Sequence, residues 1–451
     1  MEQLPNNPYG LELHPMQEAL YAELHSRPFQ VIPSPSRLTF LAVLCEGVSR
    51  DEEFEHFQKI YEHFGHEAPE QDGVCYEVDF GTVRVRREKH LEFITYTFVN
   101  LDVESCADPF DCSGISRIPA EWLRALPGTV VVSFHVAIED ARSQPEPALP
   151  VVKSFFEGMR LVGSSPQNGD ARVWTTFQLH SDGFGRFLIY NKKMSDSQLG
   201  RLTQRVMEIE TYRLMALLGL PLARKYNPEL SEMDRKLADT TSTLAENTDL
   251  DERILLGKLT DMAAWVEACR AQTTFRFSAT RAYQDLVLKR LAELREDEVS
   301  GHLTITEFMT RRLTPAVRTC ESVSERLENL SRRIDRVSDM MRTRVELSIQ
   351  AQNQDLLASM DRRSRIQLMM QHTVEGLSVA AISYYMVGLL KYLIEALYDN
   401  GVDLNKSLTV GISVPVVIMV VWLATRKIHK KFLKLATEKA DRDEADRKDK
   451  H

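Results

Sequence analysis

Two hydrophobic periods divide the chain near Met194. Between Ser36 and Met194 the apolar positions come in short runs of β type: RLTFLAVLC, VCYEVDFGTVRVRRE, LEFITYTFVN, TVVVSFHVAI, RVWTTFQLH and FGRFLIYN. Asp-Gly, Pro-Gly and Asn-Gly-Asp turn signals separate them. Ahead of them, LHPMQEALYAELHSRPF reads as a short amphipathic helix with Leu13, Leu20 and Leu24 on one face, stopped by Pro28. After Met194 the strand signals end. SDSQLGRLTQRVMEIETYRLMALLGLPLAR opens with Ser195 or Ser197 as a helix cap, and a second helical stretch covers Leu250 to Leu294.

From Thr314 the spacing tightens. Cys320, Val323, Leu327, Leu330, Ile334, Val337 and Met341 alternate steps of three and four, a coiled-coil seam that slips after Met341, where Arg344 takes the next apolar slot. No proline occurs between Pro315 and Pro415, so one helix can run on as a stalk for roughly 100 Å at 1.5 Å per residue.

Two long apolar segments follow. GLSVAAISYYMVGLL (376–390) carries no charge, and Lys391 and Glu395 after it stand near an interface with Tyr392 and Tyr398. About 20 residues are needed to span a bilayer, so this segment spans with Lys391 snorkelling. LTVGISVPVVIMVVWLAT (408–425) is uncharged throughout, with Pro415 inside and Trp422 near one end. Arg362, Arg363 and Arg365 precede the first span and Arg426, Lys427, Lys430 and Lys431 follow the second, while the connecting loop has Asp399 and Asp403 against one Lys406. The positive-inside rule then puts both termini in the cytoplasm.

Composition narrows the function classes. The formal charge is −9 over 451 residues, with 43% apolar and 27% charged residues, and no basic face of the kind nucleic acids require is expected. The N-terminus MEQLPNNPYGLELHP lacks the basic and apolar regions of a signal peptide. Cys45, Cys75, Cys106, Cys112, Cys269 and Cys320 are scattered, without Cys-x-x-Cys or zinc spacing, and read as reduced thiols. Signatures of nucleotide binding, acyl transfer and zinc hydrolysis are absent, so neither enzymatic activity nor a cofactor is expected. His14, Glu23, His25 and Arg27 form a polar cluster that reads as capping and sheet packing, and His180 with Asp182 reads as a hairpin turn.

The remaining candidate is a stripe. Glu375, Ser378, Ile382, Tyr385, Leu389 and Tyr392 recur at steps of three and four along the first span. Polar residues in a span face a protein interior or a water-filled path, so several copies around an axis would line it with this stripe. Glu375 would stand at the cytoplasmic mouth, with Lys391, Glu395, Asp399 and Asp403 near the outer one. The alternative places Glu375 among headgroups and the tyrosines in helix packing. Gly376 and Ala380 allow close helix contact in either case.

The runs HPMQEALYAELHSRPF (14–29), EIETYRLMALLGLPLAR (208–224) and RTRVELSIQAQNQDLLASMDRR…YYMVGLLKYL (342–393) resemble a bacterial family of uncharacterised membrane-anchored proteins known only as a domain of unknown function. The resemblance covers almost the whole chain and implies an anchor in the inner membrane. The architecture is also similar, more distantly, to that of the CorA-type magnesium channels, which implies a pentamer with the first span lining a pore. Those channels carry Tyr-Gly-Met-Asn at the outer end of that span. Here Tyr385, Met386, Val387 and Gly388 stand there, without the asparagine.

The expected fold is α+β. It runs as a mostly antiparallel α/β sheet domain (1–194), a helical domain (195–313), a stalk helix (314–375), spans at 376–397 and 408–425 with an outer loop between (398–407), and a charged cytoplasmic tail (426–451). The expected function is a two-span homo-oligomer in the bilayer that conducts or senses a cation, divalent if CorA-like. The alternative is a tethered structural or interaction protein that conducts nothing.

Overall fold

The computed structural model describes residues 14–17, 20, 21, 29–103, 106–246, 252–399 and 405–448. They form two compact units, Met1–Asp339 and Met340–His451.

The first unit is built on a nine-stranded sheet: β1 (Ser36–Leu44), β2 (Cys75–Asp79), β3 (Val83–Lys89), β4 (Phe93–Asn100), β5 (Thr129–Asp140), β6 (Val162–Ser165), β7 (Ala171–Thr175), β8 (Gly185–Asn191) and β9 (Glu296–Glu298). Their spatial order is β2-β3-β4-β1-β5-β8-β7-β6-β9. Two consecutive blocks, β1–β4 and β5–β8, lie side by side, each with its first strand at the centre and its last strand against the first, and β9 adds to the β6 edge. Every pairing is antiparallel except β5 with β8, in agreement with the mostly antiparallel sheet expected from the turn signals. The β1–β5 register shifts between Ala42 and Val43, where Val131 is the extra residue, and Gly128, just before β5, has φ 100°. A Cβ there would lie 2.4 Å from the Leu44 carbonyl oxygen, so only glycine fits.

Strand alternation sorts side chains to two faces. Leu38, Phe40 and Ala42 of β1 enter the larger core, which continues into the helices α4 (Asp196–Leu217), α6 (Glu252–Leu294) and the start of α7 (Ile305–Asp399). Leu41 and Val43 face the other way, into a core with α1 (Arg50–Phe64) and Trp122 of α2 (Ala120–Arg124). A third core surrounds Trp174 and Phe156 beside α3 (Leu149–Ser154). Of the two serines that the sequence offers as a cap, Ser195 starts helix α4, and it does so with a full capping box: its side chain accepts from the Gln198 amide, and its own amide donates to the Gln198 side chain. Gly200 lets the chain pass closely over α4, since a Cβ would meet the Gln30 carbonyl oxygen at 1.8 Å.

α5 (Gly219–Glu246), α6 and the 305–339 part of α7 pack together by their apolar seams. Cys320, Val323, Leu327, Leu330, Ile334 and Val337 are all buried. Arg326 and Arg333 reach Asp234 of α5 at 3.2 and 2.7 Å, and Arg281 of α6 reaches Glu321 at 3.0 Å. The coiled-coil spacing is therefore satisfied inside one chain.

The sheet edge is tied to the start of α7 by one carboxylate. Glu296 of β9 accepts from the Ile305 and Thr306 amides at 3.1 and 2.7 Å and from the Ser164 hydroxyl of β6 at 2.5 Å. This satisfies two of the helix's free N–H groups and puts negative charge at the positive end of its dipole.

One expectation is corrected. Cys106 and Cys112 form a disulfide across a short loop, with Cα atoms 6.7 Å apart, rather than two reduced thiols. The five intervening residues, ADPFD, hold a turn that brings the ends together: the Asp108 side chain accepts from the Phe110 amide. The other four cysteines are free thiols, and burial pushes Cys269 and Cys320 up to about 11, which makes them inert.

The second unit holds the rest of α7 and α8 (Lys406–Lys448). It contains two segments long and apolar enough to cross a membrane, one toward the end of Ile305–Leu397 and one at Ser407–Ile428, with mean hydropathy 1.6 and 2.2 over their most apolar windows.

Candidate functional site

A connection of six residues joins α7 to α8, short enough for the two helices to fold back as antiparallel neighbours. The burial pattern identifies the faces they share. On α7, Ser383 and Ile394 are buried, with Val379, Val387 and Leu390 half-buried along the same side. On α8, Val417 and Val421 are buried, and Val410, Ser413 and Thr425 are half-buried. Both sets advance in steps of three and four, the spacing of one helix face. The hydroxyls on α8 turn back on their own helix: Ser413 donates to the Val410 carbonyl at 2.7 Å and Thr425 to that of Val421 at 2.8 Å. Ser383 Oγ is buried with no hydrogen-bond partner among the described residues.

The stripe drawn from the sequence lies on a different side of α7. Tyr385 and Tyr392 are each 71% exposed, Leu389 64% and Ile382 45%, and Ser378 is exposed as well. α8 leaves all five uncovered. Glu375 is half-buried, and the His372 ring stands 3.7 Å from its carboxylate at i,i+3 spacing. Glu375 to Tyr392 thus form one continuous line, beginning with a carboxylate. Of the outer candidates, Asp399 ends α7 and its side chain is not described, and Asp403 lies outside the described residues. Sequence spacing located the stripe but could not say which side of α7 meets α8, because the hairpin is apolar all round.

Trp422 and Arg426 form a cation–π pair at 5.0 Å near the end of the second apolar segment, an amphipathic pairing suited to a water–lipid interface. Among the described residues no group of three or more His, Cys, Asp or Glu is placed to hold a metal ion.

The His180–Asp182 pair of the first unit has structural partners. Asp182 accepts from the Phe184 amide and pairs with Arg186 at 2.8 Å, and the Gly183 amide donates to the His180 carbonyl, as a hairpin turn requires. His180 donates or accepts at Thr176 Oγ1, 3.0 Å away, and burial holds its imidazole below the usual histidine range. Of the N-terminal cluster, His14 is exposed beside the Met16 amide, and Glu23, His25 and Arg27 lie outside the described residues. Sequence reading missed the most buried charge of all. Arg87 on β3 is fully enclosed, paired with Glu53 of α1 and Asp72, over the rings of Phe54 and Phe57. Tyr96 donates to the same Glu53 carboxylate. Its signal was period two in VRVRRE, which puts Arg87 on the face of Val83 and Val85; Arg86 is buried as well, on the other face, so the run alone does not say which arginine meets a carboxylate.

No curated protein matches the chain. A family model matches residues 12–432, nearly its whole length, and by that match the chain belongs to the family described as protein of unknown function (DUF3422).

Proposed function

We propose that this protein is anchored in the bacterial inner membrane by the 376–397 and 408–425 hairpin, with both termini in the cytoplasm. We propose further that it works as a homo-oligomer whose first spans surround a path for a cation, which it conducts or senses. The observation that carries this reading is the uncovered stripe Ser378–Ile382–Tyr385–Leu389–Tyr392. A hairpin that used α8 to cover this line could not present it to an axis; this one buries the adjacent line instead. Glu375 supplies a carboxylate at the cytoplasmic end, and a ring of such groups concentrates cations. The basic residues on both flanks support the orientation.

A second reading has its own support. Between Glu375 and Lys391 the stripe has no carboxylate and no basic side chain, and the asparagine of CorA-type channels is missing. Tyrosines on an exposed helix face also suit lipid and helix packing. In this reading the hairpin only tethers the sheet unit, which binds another protein.

Native mass spectrometry of the nanodisc-held complex separates the two. A closed ring is expected, and ion flux through it should change with Glu375→Ala and Tyr385→Ala. A monomer or dimer that persists across detergents and nanodiscs overturns the axial path and leaves the tether.

A further inference from the structure

The first unit contains a cavity of about 330 Å³ between α4, the end of α6 and strands β1, β3 and β4. That is the lower end of the size range of small-molecule sites. Phe40 of β1 and Phe93 of β4 form an aromatic wall, extended by His90 stacked on Phe93 at 4.4 Å. The rest of the lining, from α4, α6 and β3, is charged, and its charges can be paired off one by one. Glu293 is held by Arg205 at 3.3 Å and by Arg290 at 3.1 Å. Glu208 is held by Arg290, and Glu88 by Arg86 at 2.7 Å. Every carboxylate lining the cavity thus has its own guanidinium. One guanidinium is left: Arg201, half-buried, one helical turn before Arg205 on α4, makes no ion pair among the described residues.

We infer that this cavity is a binding site for a small organic carboxylate with an aromatic or bulky apolar body. Arg201 takes the carboxylate as a charge-assisted pair, and Phe40 and Phe93 take the body. The three neutralised carboxylates reject a cation, since none has a charge to spare. Thr95 and Gln204, which also line the cavity, offer hydroxyl and amide groups to fix the ligand's orientation. This site is independent of how the hairpin is used.

The test uses the full chain in nanodiscs with 2-naphthoate as probe, read by saturation-transfer NMR and calorimetry with empty nanodiscs subtracted. Saturable binding is expected, and 2-naphthalenemethanol, which lacks the charge, should bind at least about ten-fold more weakly. Arg201→Gln should weaken naphthoate binding by about ten-fold or more with an unchanged thermal midpoint, and Arg201→Lys should restore part of it. The inference is overturned if naphthoate shows no saturable binding, if the alcohol binds as tightly as the acid, or if Arg201→Gln binds like the wild type. It is equally overturned if inorganic phosphate competes as well as naphthoate, because the aromatic wall then contributes nothing.

Discussion

α7 carries two apolar patterns in succession, and they meet opposite fates. Up to Val337, each residue of the three-and-four seam is buried against α5 and α6. Beyond the slip at Met341, Leu347, Leu356, Met360, Ile366, Met370 and Val374 are all more than half exposed. Both stretches belong to one helix; what differs is whether the same chain supplies a covering face. A seam with a partner in its own chain contributes to folding, whereas an apolar face without one is available for lipid or for another molecule. The boundary between the two compact units, at Asp339, falls within two residues of the slip.

The largest expected effect breaks the first pattern. Leu330→Asp puts an unpaired carboxylate where 1% of the surface is exposed and should cost about 4 kcal/mol or more, unfolding much of the first unit. Leu368→Asp, in the second stretch, should leave the first unit's denaturation midpoint unchanged. Chemical denaturation of both variants, followed by tryptophan fluorescence, checks the contrast: the four tryptophans include Trp122 and Trp174 in the cores of the sheet unit.

Next in size is the buried ion network. Arg87→Met leaves Glu53 enclosed and unpaired and should cost about 3–5 kcal/mol, while the double change Arg87→Met with Glu53→Leu should recover most of that loss. A double-mutant cycle measures it. The Arg365–Asp361 pair of the second unit is exposed, so no equivalent penalty is expected there.

How much of this was legible in the sequence follows from where each signal is local. Six β-like runs gave seven of the nine strands, because alternation and turn residues are written within eight or ten positions. β6 and β9 were not legible. VGSS is too short to show a period, and Glu296–Glu298 is an acidic triplet whose strand pairing comes from the β6 edge and from the helix start that Glu296 caps. The cavity was equally hidden, since Phe40, Phe93 and Arg201 lie on three elements and only the β4-β1 pairing brings the two rings to one wall. The seam residues were read correctly one by one, but a seam does not state whether its partner is in the same chain.

His135 gives the first unit a pH dependence. Its ring is buried on β5, 2.9 Å from Thr39 Oγ1, and is lowered to about 4 by burial, against the opposing charge of Asp182 and with a smaller contribution from Arg186. The unfolded chain, near 6.5, binds the proton more readily, so the stabilisation is complete above about 6.5 and is lost as pH falls toward about 4. The loss amounts to at most roughly 3 kcal/mol. Denaturation at pH 7 and pH 4.5 should differ by less in His135→Gln than in the wild type.

Smaller still is the cap at the start of the first stretch. Glu296→Ala removes the acceptor for the Ile305 and Thr306 amides and should cost about 1–2 kcal/mol, with Glu296→Gln recovering part because its amide oxygen still accepts. Faster amide exchange at Ile305 and Thr306 is the direct readout.

The smallest expected effect sharpens the comparison most. Arg365 and Asp361 pair at 3.0 Å across one exposed helical turn of the second stretch. Exposed pairs of this spacing contribute at most about 0.5 kcal/mol, so Asp361→Ala should leave thermal midpoints within the range of ordinary surface changes. That holds if solvent is all that surrounds the pair. If copies assemble through this stretch, the same substitution acts on every copy at once, and its effect grows as the protein is concentrated and shrinks as it is diluted. A midpoint that shifts by more than 1 kcal/mol-equivalent only at high protein concentration would therefore assign the uncovered face to a second copy. A midpoint that is unchanged at every concentration leaves that face to solvent.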